Sequence, residues 1–586
     1  MSFEKNKKLA RIFYEMSTIY KYKGAAERFR FLAYQKASKV ISALPKDILF
    51  YSKNHSLNEI NGIGEGIAEK IEEYITSGRI MKFERLKKDV PYELLDMMEI
   101  TGFGPQSLNR IHEELNIKTK EKVIAALQNG EIAKLKGFGE TKVKKMLQGL
   151  KIHKTVEDRI LLWDALEIGE KILLRLKEMP EVKNIELAGS LRRRKETIGD
   201  IDILVSCDEK FRKKIMKTFT DPFLAKQILA KGDTKASIIL NESERQADLR
   251  IVNEDEWGSA LVYFTGSKEH NIHLRTIAKE KGYKISEYGV FKIENKKRIV
   301  SKTEEEIYST LGFQFIPPEM REDKGEIELS KKNKIPELIQ LKDIAGDMQM
   351  HSLYSDGLSS IADIVQHIKK NYQYDYIVIT DHSKSSRIAN GMDEKELFKQ
   401  LKEIDFINKK LGKIFVRSGI EVDILADGKL DFSDELLARL DRVTAAIHSN
   451  FNIDNTDRII SACENPYVNC IAHPTGRLIG KREPYKIDIE RIVETAKFTK
   501  TSLEINAQPD RMDLNDAFAK FAIDTGVKLV INTDSHSLKD FNYMKLGVDI
   551  ARRAWCTKDN ILNTKPWTEI EKFKSSKAKI SFNVIS

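Results

Sequence analysis

Cysteine is scarce: the 586 residues hold four, Cys207, Cys463, Cys470 and Cys556, with no C-x-x-C spacing. That excludes a dithiol motif or a disulfide framework and fits reduced, buried thiols in a cytoplasmic protein. Long apolar runs are lacking too. The opening MSFEKNKKLARIFYEM has no stretch of signal-peptide length, and no other stretch approaches membrane-spanning length, so a soluble chain without a membrane partner is expected. Negative charge is deficient at one end only. Residues 1–150 carry 27 lysines and arginines against 19 acidic residues, whereas residues 151–340 carry 36 against 34 and residues 341–586 carry 36 against 36. Most of the net charge of +10 therefore lies in the first quarter, which points to a polyanionic partner, nucleic acid first. The length accommodates about two to four domains.

The basic quarter contains a repeat. NGIGEGIAEKI (61–71), TGFGPQSLNRI (101–111) and KGFGETKVKKM (136–146) each read glycine, apolar residue, glycine, then a helical period. Gly62, Gly64, Gly66, Gly102, Gly104, Gly137 and Gly139 let the backbone come close to a ligand, and each following helix offers free N–H groups to an anion. Such turns grip DNA phosphates without reading sequence. A plain helix–helix turn with capping glycines explains one copy as well, but three copies in a basic segment less well.

Residues 155–320 alternate between strand-like and helical segments: NIELAGS, IGDIDILVS, ASIILN, RQADLRIV and ALVYFTGS. Within GSLRRRKETIGDIDILV (189–205), Asp200 and Asp202 fall on one face of a strand whose other face is apolar. Adjacent buried carboxylates repel unless a cation joins them. With Asp248 from RQADLRIV they form a set suited to two Mg²⁺ ions and a triphosphate, for which Ser190 and Arg193 are apt donors.

These segments, followed by YFTGSKEHNIHLRTIAKEKGYKISEYGVF, resemble the palm and thumb of family X DNA polymerases, and FIPPEMREDKGEIE resembles the tail that closes the core in bacterial and archaeal members. The resemblance covers residues 1–325. It implies a small helical DNA-end-binding domain (1–80), helix-hairpin-helix fingers (81–152), an α+β nucleotidyltransferase palm (153–252) and a thumb (253–322). It also implies Asp200, Asp202 and Asp248 as ligands of Mg²⁺ or Mn²⁺, and a nucleotide site of Gly189, Ser190, Arg193, Tyr263, Phe264, Gly266 and Asn271. Asn271 and Arg275 would face the nascent pair and template. Tyr263 is bulky enough to exclude a 2′-OH, although core packing explains Tyr263 and Phe264 too. The implied substrates are dNTPs and gapped or nicked DNA with a 5′-phosphate, handled by a monomer. Lys70 aligns with the family's Schiff-base lysine, but Phe29, Arg30 and Gly66 depart from the pattern around it, so a phosphate-contacting lysine remains the alternative to lyase chemistry.

After a charged segment at 323–340 that reads as a linker, YDYIVIT, KIFVRSGIEV, RVTAAIHS, VNCIAHP, TSLEINA and VKLVINTD alternate with helices, the pattern of a parallel β/α barrel. His351, Asp356, His382, Glu421, His448, His473, Asp534 and His536 stand at or near strand ends, where barrel active sites are built. Imidazoles with carboxylates suit Mn²⁺, Zn²⁺ or Fe²⁺. The pattern resembles the polymerase and histidinol phosphatase (PHP) domain, which implies a distorted (β/α)7 barrel at 341–586 with up to three metals. In prokaryotic family members that domain is linked to 3′–5′ exonuclease, 3′-end-cleaning and abasic-site endonuclease activities. The implied metal groups are Gln349, His351, Glu421 and Asp534; Glu421, His448 and His473; and Asp356, His382 and His536. Gln349 departs from the usual H-x-H opening. Two alternatives stand beside a bifunctional repair polymerase: a structural or regulatory barrel, and a nucleotidyltransferase acting on RNA or small molecules.

Overall fold

The computed structural model describes the backbone of residues 4–44, 47–60, 62–100, 102–157 and 159–585. Contacts divide the chain into a helical unit of residues 1–156 and a larger unit made of most of the remainder. In the helical unit, Glu4–Lys23 and Arg28–Ala43 pack through Phe13, Met16, Tyr20 and Tyr34, and the two tyrosine rings stack 5.4 Å apart.

The three glycine repeats adopt one geometry. Gly62, Gly102 and Gly137 have φ of +94°, +97° and +83°, a region that favours glycine. Gly64, Gly104 and Gly139 then lead into the helices Glu65–Ser77, Pro105–Leu115 and Glu140–Glu157. The apolar residue between each pair (Ile63, Phe103, Phe138) is buried, and its N–H closes the same three-residue turn onto Ile60, Ile100 or Leu135.

The larger unit begins with a five-stranded sheet in the order Asn184–Leu187, Ile201–Ser206, Gln246–Val252, Lys235–Leu240, Ala225–Lys231. Only the pair Ile201–Ser206 and Gln246–Val252 runs parallel. ALVYFTGS does not add a strand: its first six residues end the helix Trp257–Thr265. A short apolar run buried on most sides satisfies either geometry, and here Ala260 and Leu261 pack on Leu204 and Val252 while Val262 joins the next core. That next core gathers Leu274, Ile307, Tyr308, Ile316 and Met320 beside a three-stranded antiparallel sheet.

The stretch expected to be a linker is part of this core. Residues 323–340 contain the helix Glu326–Lys331; Ile327 and Leu338 are buried, and Glu326 accepts a 2.6 Å hydrogen bond from His270 and two more from the Asp323 and Lys324 N–H groups. A charge that reads as solvated in sequence is here an internal partner.

Seven strands follow in a parallel sheet ordered as in sequence: Gly346–Asp347, Tyr376–Ile379, Val416–Asp423, Arg442–Ala446, Cys470–Ile471, Ser502–Asn506 and Leu529–Asn532. Beyond the first and last strands, Asp534 N–H bonds Gln349 O (3.1 Å) and His351 N–H bonds Ser535 O (2.8 Å), closing the ring at its C-terminal end. Helices such as Ile361–Asn371 bury one stripe (Ile361, Ile364, Val365, Ile368) against the strands. All four cysteines are free and buried. Among the described residues no helix is long and apolar enough to cross a membrane.

Arg321 is fully buried and donates to Glu304 (2.7 Å) and to Ile316 O, while Arg192 pairs with the other Glu304 oxygen (2.7 Å). Arg321→Met removes one of the two cations from a buried carboxylate and should cost about 3 kcal/mol. The check is the urea midpoint of the larger unit, and an unchanged midpoint would contradict the internal role.

Candidate active sites

Strand register makes the first site. Asp202 and Asp248 are direct partners across the one parallel pair of the five-stranded sheet, and Asp200 stands just before the first of those strands. One oxygen from each of the three carboxylates lies within 4.8 Å of the others. Gly189 has φ +57°, and a Cβ there would meet Asp202 Oδ2 at 1.9 Å, so glycine is what leaves room for the carboxylate. Asp248 is fixed by the Ser237 hydroxyl and by Gln246 Nε2 at 3.0 Å. Burial, then the charges of Asp200 and Asp248, push the Asp202 carboxyl up to about 7. Oxygen donors alone, with excess negative charge and only Asp248 tied to neighbours, fit a hard divalent cation such as Mg²⁺ or Mn²⁺.

Around this set the nucleotide-site candidates fall as follows. Ser190 follows Gly189 and is half-buried. Arg193 is half-buried and donates to Thr265 O (2.5 Å) and Glu322 (3.1 Å), so protein groups hold its guanidinium; Gly266 lies against it, a Cβ there standing 3.1 Å from Arg193. Tyr263 and Phe264 meet edge-on at 5.1 Å, and Phe264 packs on the Leu204 core. Asn271 donates to Tyr263 O (2.8 Å), and exposed Arg275 donates to Asn271 O (3.2 Å). Lys70, in the helical unit, is half-buried and donates to Gly66 O. Burial, followed by the charges of Lys70 and Arg30, lowers the Lys82 amine.

The second site sits at the closed end of the barrel. Glu421, at the end of the third strand, is its hub. Its Oε1 lies 3.1 Å from His473 and 3.4 Å from His448, and its Oε2 lies 3.3 Å from both His351 and His382. His351 also reaches Asp534 (3.0 Å), and Asp356 faces His536 (3.2 Å) and His382 (3.7 Å). The three implied metal groups are thus one continuous cluster: His351 joins Asp356, His382 and His536, and His382 joins Glu421 and His448. Burial alone would raise the Glu421 carboxyl, but the His382 charge and hydrogen bonds from His351, His448 and His473 hold it well below the usual range.

Among the described residues, four buried atoms here have no hydrogen-bond partner: His351 Nδ1, His473 Nδ1 and both amide atoms of Gln349. Unpaired buried polar atoms are costly. This concentration of imidazole nitrogens and carboxylate oxygens fits divalent metal ions of the Mn²⁺ or Zn²⁺ class.

The polymerase-like part matches family models over most of its length: the helix-hairpin-helix domain over residues 4–80, the SAM-like helix-hairpin-helix tandem over 92–151, the DNA polymerase beta palm over 163–247 and the DNA polymerase beta thumb over 260–322. The chain is also 39% identical over 552 residues to the DNA polymerase/3′-5′ exonuclease PolX of Bacillus subtilis (strain 168), covering 93% of this chain and 95% of the relative. The chain belongs to the family X DNA polymerases. Other relatives match parts of it: DNA polymerase lambda of Arabidopsis thaliana is 26% identical over 54% of this chain and 62% of its own. A probable phosphatase of Thermoanaerobacter sp. (strain X514) is 31% identical over 29% of this chain and 73% of its own.

Sequence reading passed over several supports in this family X chain. Asp423 hydrogen-bonds His448 Nδ1 and, with Glu421, pushes that imidazole up to about 10 against the effect of burial. Its signal was present, two residues beyond Glu421 on the same strand face. Asp381 accepts from Ser352, Ser355 and Gln400, holding the loop that carries His351 and Asp356. Glu504 accepts from Asn532 (2.7 Å), from Asn506 (3.1 Å) and from His473 N–H (2.7 Å), and Asn506 also bonds Asp534. Neither residue could be told from ordinary strand-end polarity.

Folded Asp202 keeps its proton to about pH 7, against about 3.9 when unfolded. A raised carboxyl adds stability at low pH that is lost between about pH 4 and 7. A metal binding there must displace that proton. Mg²⁺ binding at pH 6 should therefore release about one proton more from wild type than from Asp202→Asn, and the difference should vanish by about pH 8.5. Titration calorimetry in two buffers of unlike ionisation enthalpy measures it; equal release from both proteins would refute the assignment.

Proposed function

We propose that the protein is a gap-filling DNA polymerase of DNA repair that also trims and incises DNA through its barrel. The carrying observation is that a register-paired Asp202–Asp248 site and a Glu421-centred histidine cluster occur in one chain. Divalent ions at the palm would stabilise charge on the transferring phosphoryl group and favour ionisation of the attacking 3′-hydroxyl. Asp200, Asp202 and Asp248 would hold those ions, Ser190 and Arg193 would orient the dNTP triphosphate, Tyr263 and Phe264 would line the sugar, and Asn271 and Arg275 would face the pair and template. The helical unit would grip gapped or nicked DNA through its three glycine turns, with a 5′-phosphate on the gap's far side (residues 1–80) and fingers at 81–152. Palm, thumb and nuclease would occupy 153–252, 253–322 and 341–586. The protein would act as a cytoplasmic monomer. For Lys70, phosphate contact stands as the alternative to Schiff-base chemistry, and its half-buried amine already donates to Gly66 O.

At the barrel we propose Mn²⁺-dependent 3′–5′ exonuclease and abasic-site endonuclease activity, with His351, Asp356, His382, Glu421, His448, His473, Asp534 and His536 as ligands. Gln349 supports a second reading, a weakly active structural barrel. Its buried amide, with both polar atoms unpartnered, replaces an imidazole by a harder and weaker donor.

Two variants separate the activities. Asp202→Ala should abolish nucleotide addition to gapped DNA, by at least about a thousandfold, with DNA affinity nearly unchanged. His448→Ala should remove nuclease activity and spare polymerisation. Substantial gap filling by Asp202→Ala would sink the palm assignment. Gln349→His tests the barrel: with an active wild-type nuclease, it should tighten metal retention and relax the Mn²⁺ requirement. If wild type is inactive with every divalent metal and the variant is active, the structural reading holds.

A further inference from the structure

The palm loop between Ser190 and Asp200 is held by the barrel at three points. Arg553, at the end of the barrel helix Met544–Arg553, donates from one nitrogen to Arg193 O (2.7 Å) and to Glu322 (3.1 Å), and from the other to Asp516 (2.6 Å). Arg194 faces Asp549 of the same barrel helix (3.7 Å), and Arg477, four residues beyond His473, donates to Glu196 (2.7 Å). The Arg553 side chain is 5% exposed, so its charge is committed to these partners. Glu322 gathers three cations, with Arg193 and Arg553 at 3.1 Å and Lys195 at 3.6 Å.

We propose that Arg553 is a positioning residue for nucleotide binding at the palm. It caps the carbonyl of Arg193 and fixes the carboxylate that aims the Arg193 guanidinium, so the barrel sets the geometry of the triphosphate loop. The proposal rests on the reading that Ser190 and Arg193 face the triphosphate. Without Arg553, the Arg193 carbonyl loses a partly buried charge-assisted bond, and Glu322 is left to Arg193 and Lys195. The loop then relaxes, while Asp202 and Asp248 stay fixed by strand pairing. Loss therefore falls on dNTP binding and not on the chemical step.

The test is steady-state gap filling by the full-length protein, with dNTP concentration varied. Arg193→Met is measured first: a KM for dNTP equal to wild type would remove the reading on which the proposal rests. Given a raised KM there, Arg553→Met should raise the dNTP KM about tenfold, with kcat within about threefold and gapped-DNA affinity unchanged. Arg553→Lys, which keeps the charge, should recover much of the loss. Lys545→Met is the control, because Lys545 lies over the Trp163 ring of the palm (4.4 Å) at the same interface without touching the loop; it should behave as wild type. A normal KM in Arg553→Met, a kcat loss at constant KM, or an equal defect in Lys545→Met would each overturn the proposal. Should Arg553→Met fail to fold, Glu322→Gln decides in its place, with the same expected rise in KM and the same overturning results.

Discussion

The crowding of charged groups into one small site is the constraint on which both centres depend. Three acidic oxygens within 4.8 Å of one another, or a glutamate ringed by four imidazoles, will not stay assembled on mobile loops. Both sites therefore hang on parallel strand pairing. In the palm, one parallel pair inside an otherwise antiparallel sheet puts Asp202 opposite Asp248. In the barrel, seven parallel strands point their C-terminal ends at one place, and the Gln349–Asp534 and His351–Ser535 backbone bonds close the ring where the histidines and carboxylates gather. The backbone carries the cost of crowding like charges, and bound cations would offset it.

Much of this was legible because period and repetition carry it. Asp200 and Asp202 two apart at the start of an apolar strand, histidines at or near strand ends, and three copies of a glycine turn are each improbable by accident. Residues whose meaning depends on a distant partner were not legible. Glu504 and Asp381 look like any polar strand-end residue until Asn532 or Ser352 arrives from elsewhere in the chain. ALVYFTGS failed for another reason: burial on most sides erases the periodicity that separates strand from helix. The charged segment at 323–340 reads as solvated because sequence does not show that Glu326 will meet a buried histidine.

The helical unit solves a different problem. Its excess of lysine and arginine is spread over the first quarter of the chain, and its glycine turns offer backbone N–H groups, which meet phosphates without regard to base. A scaffold of this kind suits binding that follows the DNA backbone and not the base sequence. The two clusters of carboxylates and imidazoles, by contrast, need a fixed geometry, and they lie in the unit with the extended cores.

The three consecutive arginines at 192–194 show how one short motif ties the larger unit together. Arg192 turns inward to Glu304, which it shares with fully buried Arg321, and so anchors the palm to the segment that follows it. Arg193 turns to Thr265 and Glu322, against the glycine of the YFTGS segment. Arg194 turns to Asp549 on a barrel helix. Consecutive side chains diverge, so a run of like charge that would be self-repelling on one face instead reaches three separate acidic partners. Identical residues in sequence are thus not equivalent in role. Of the three, Arg193 is the one whose charge acts on the Asp202 carboxyl, and Thr265 O and Glu322 hold its guanidinium.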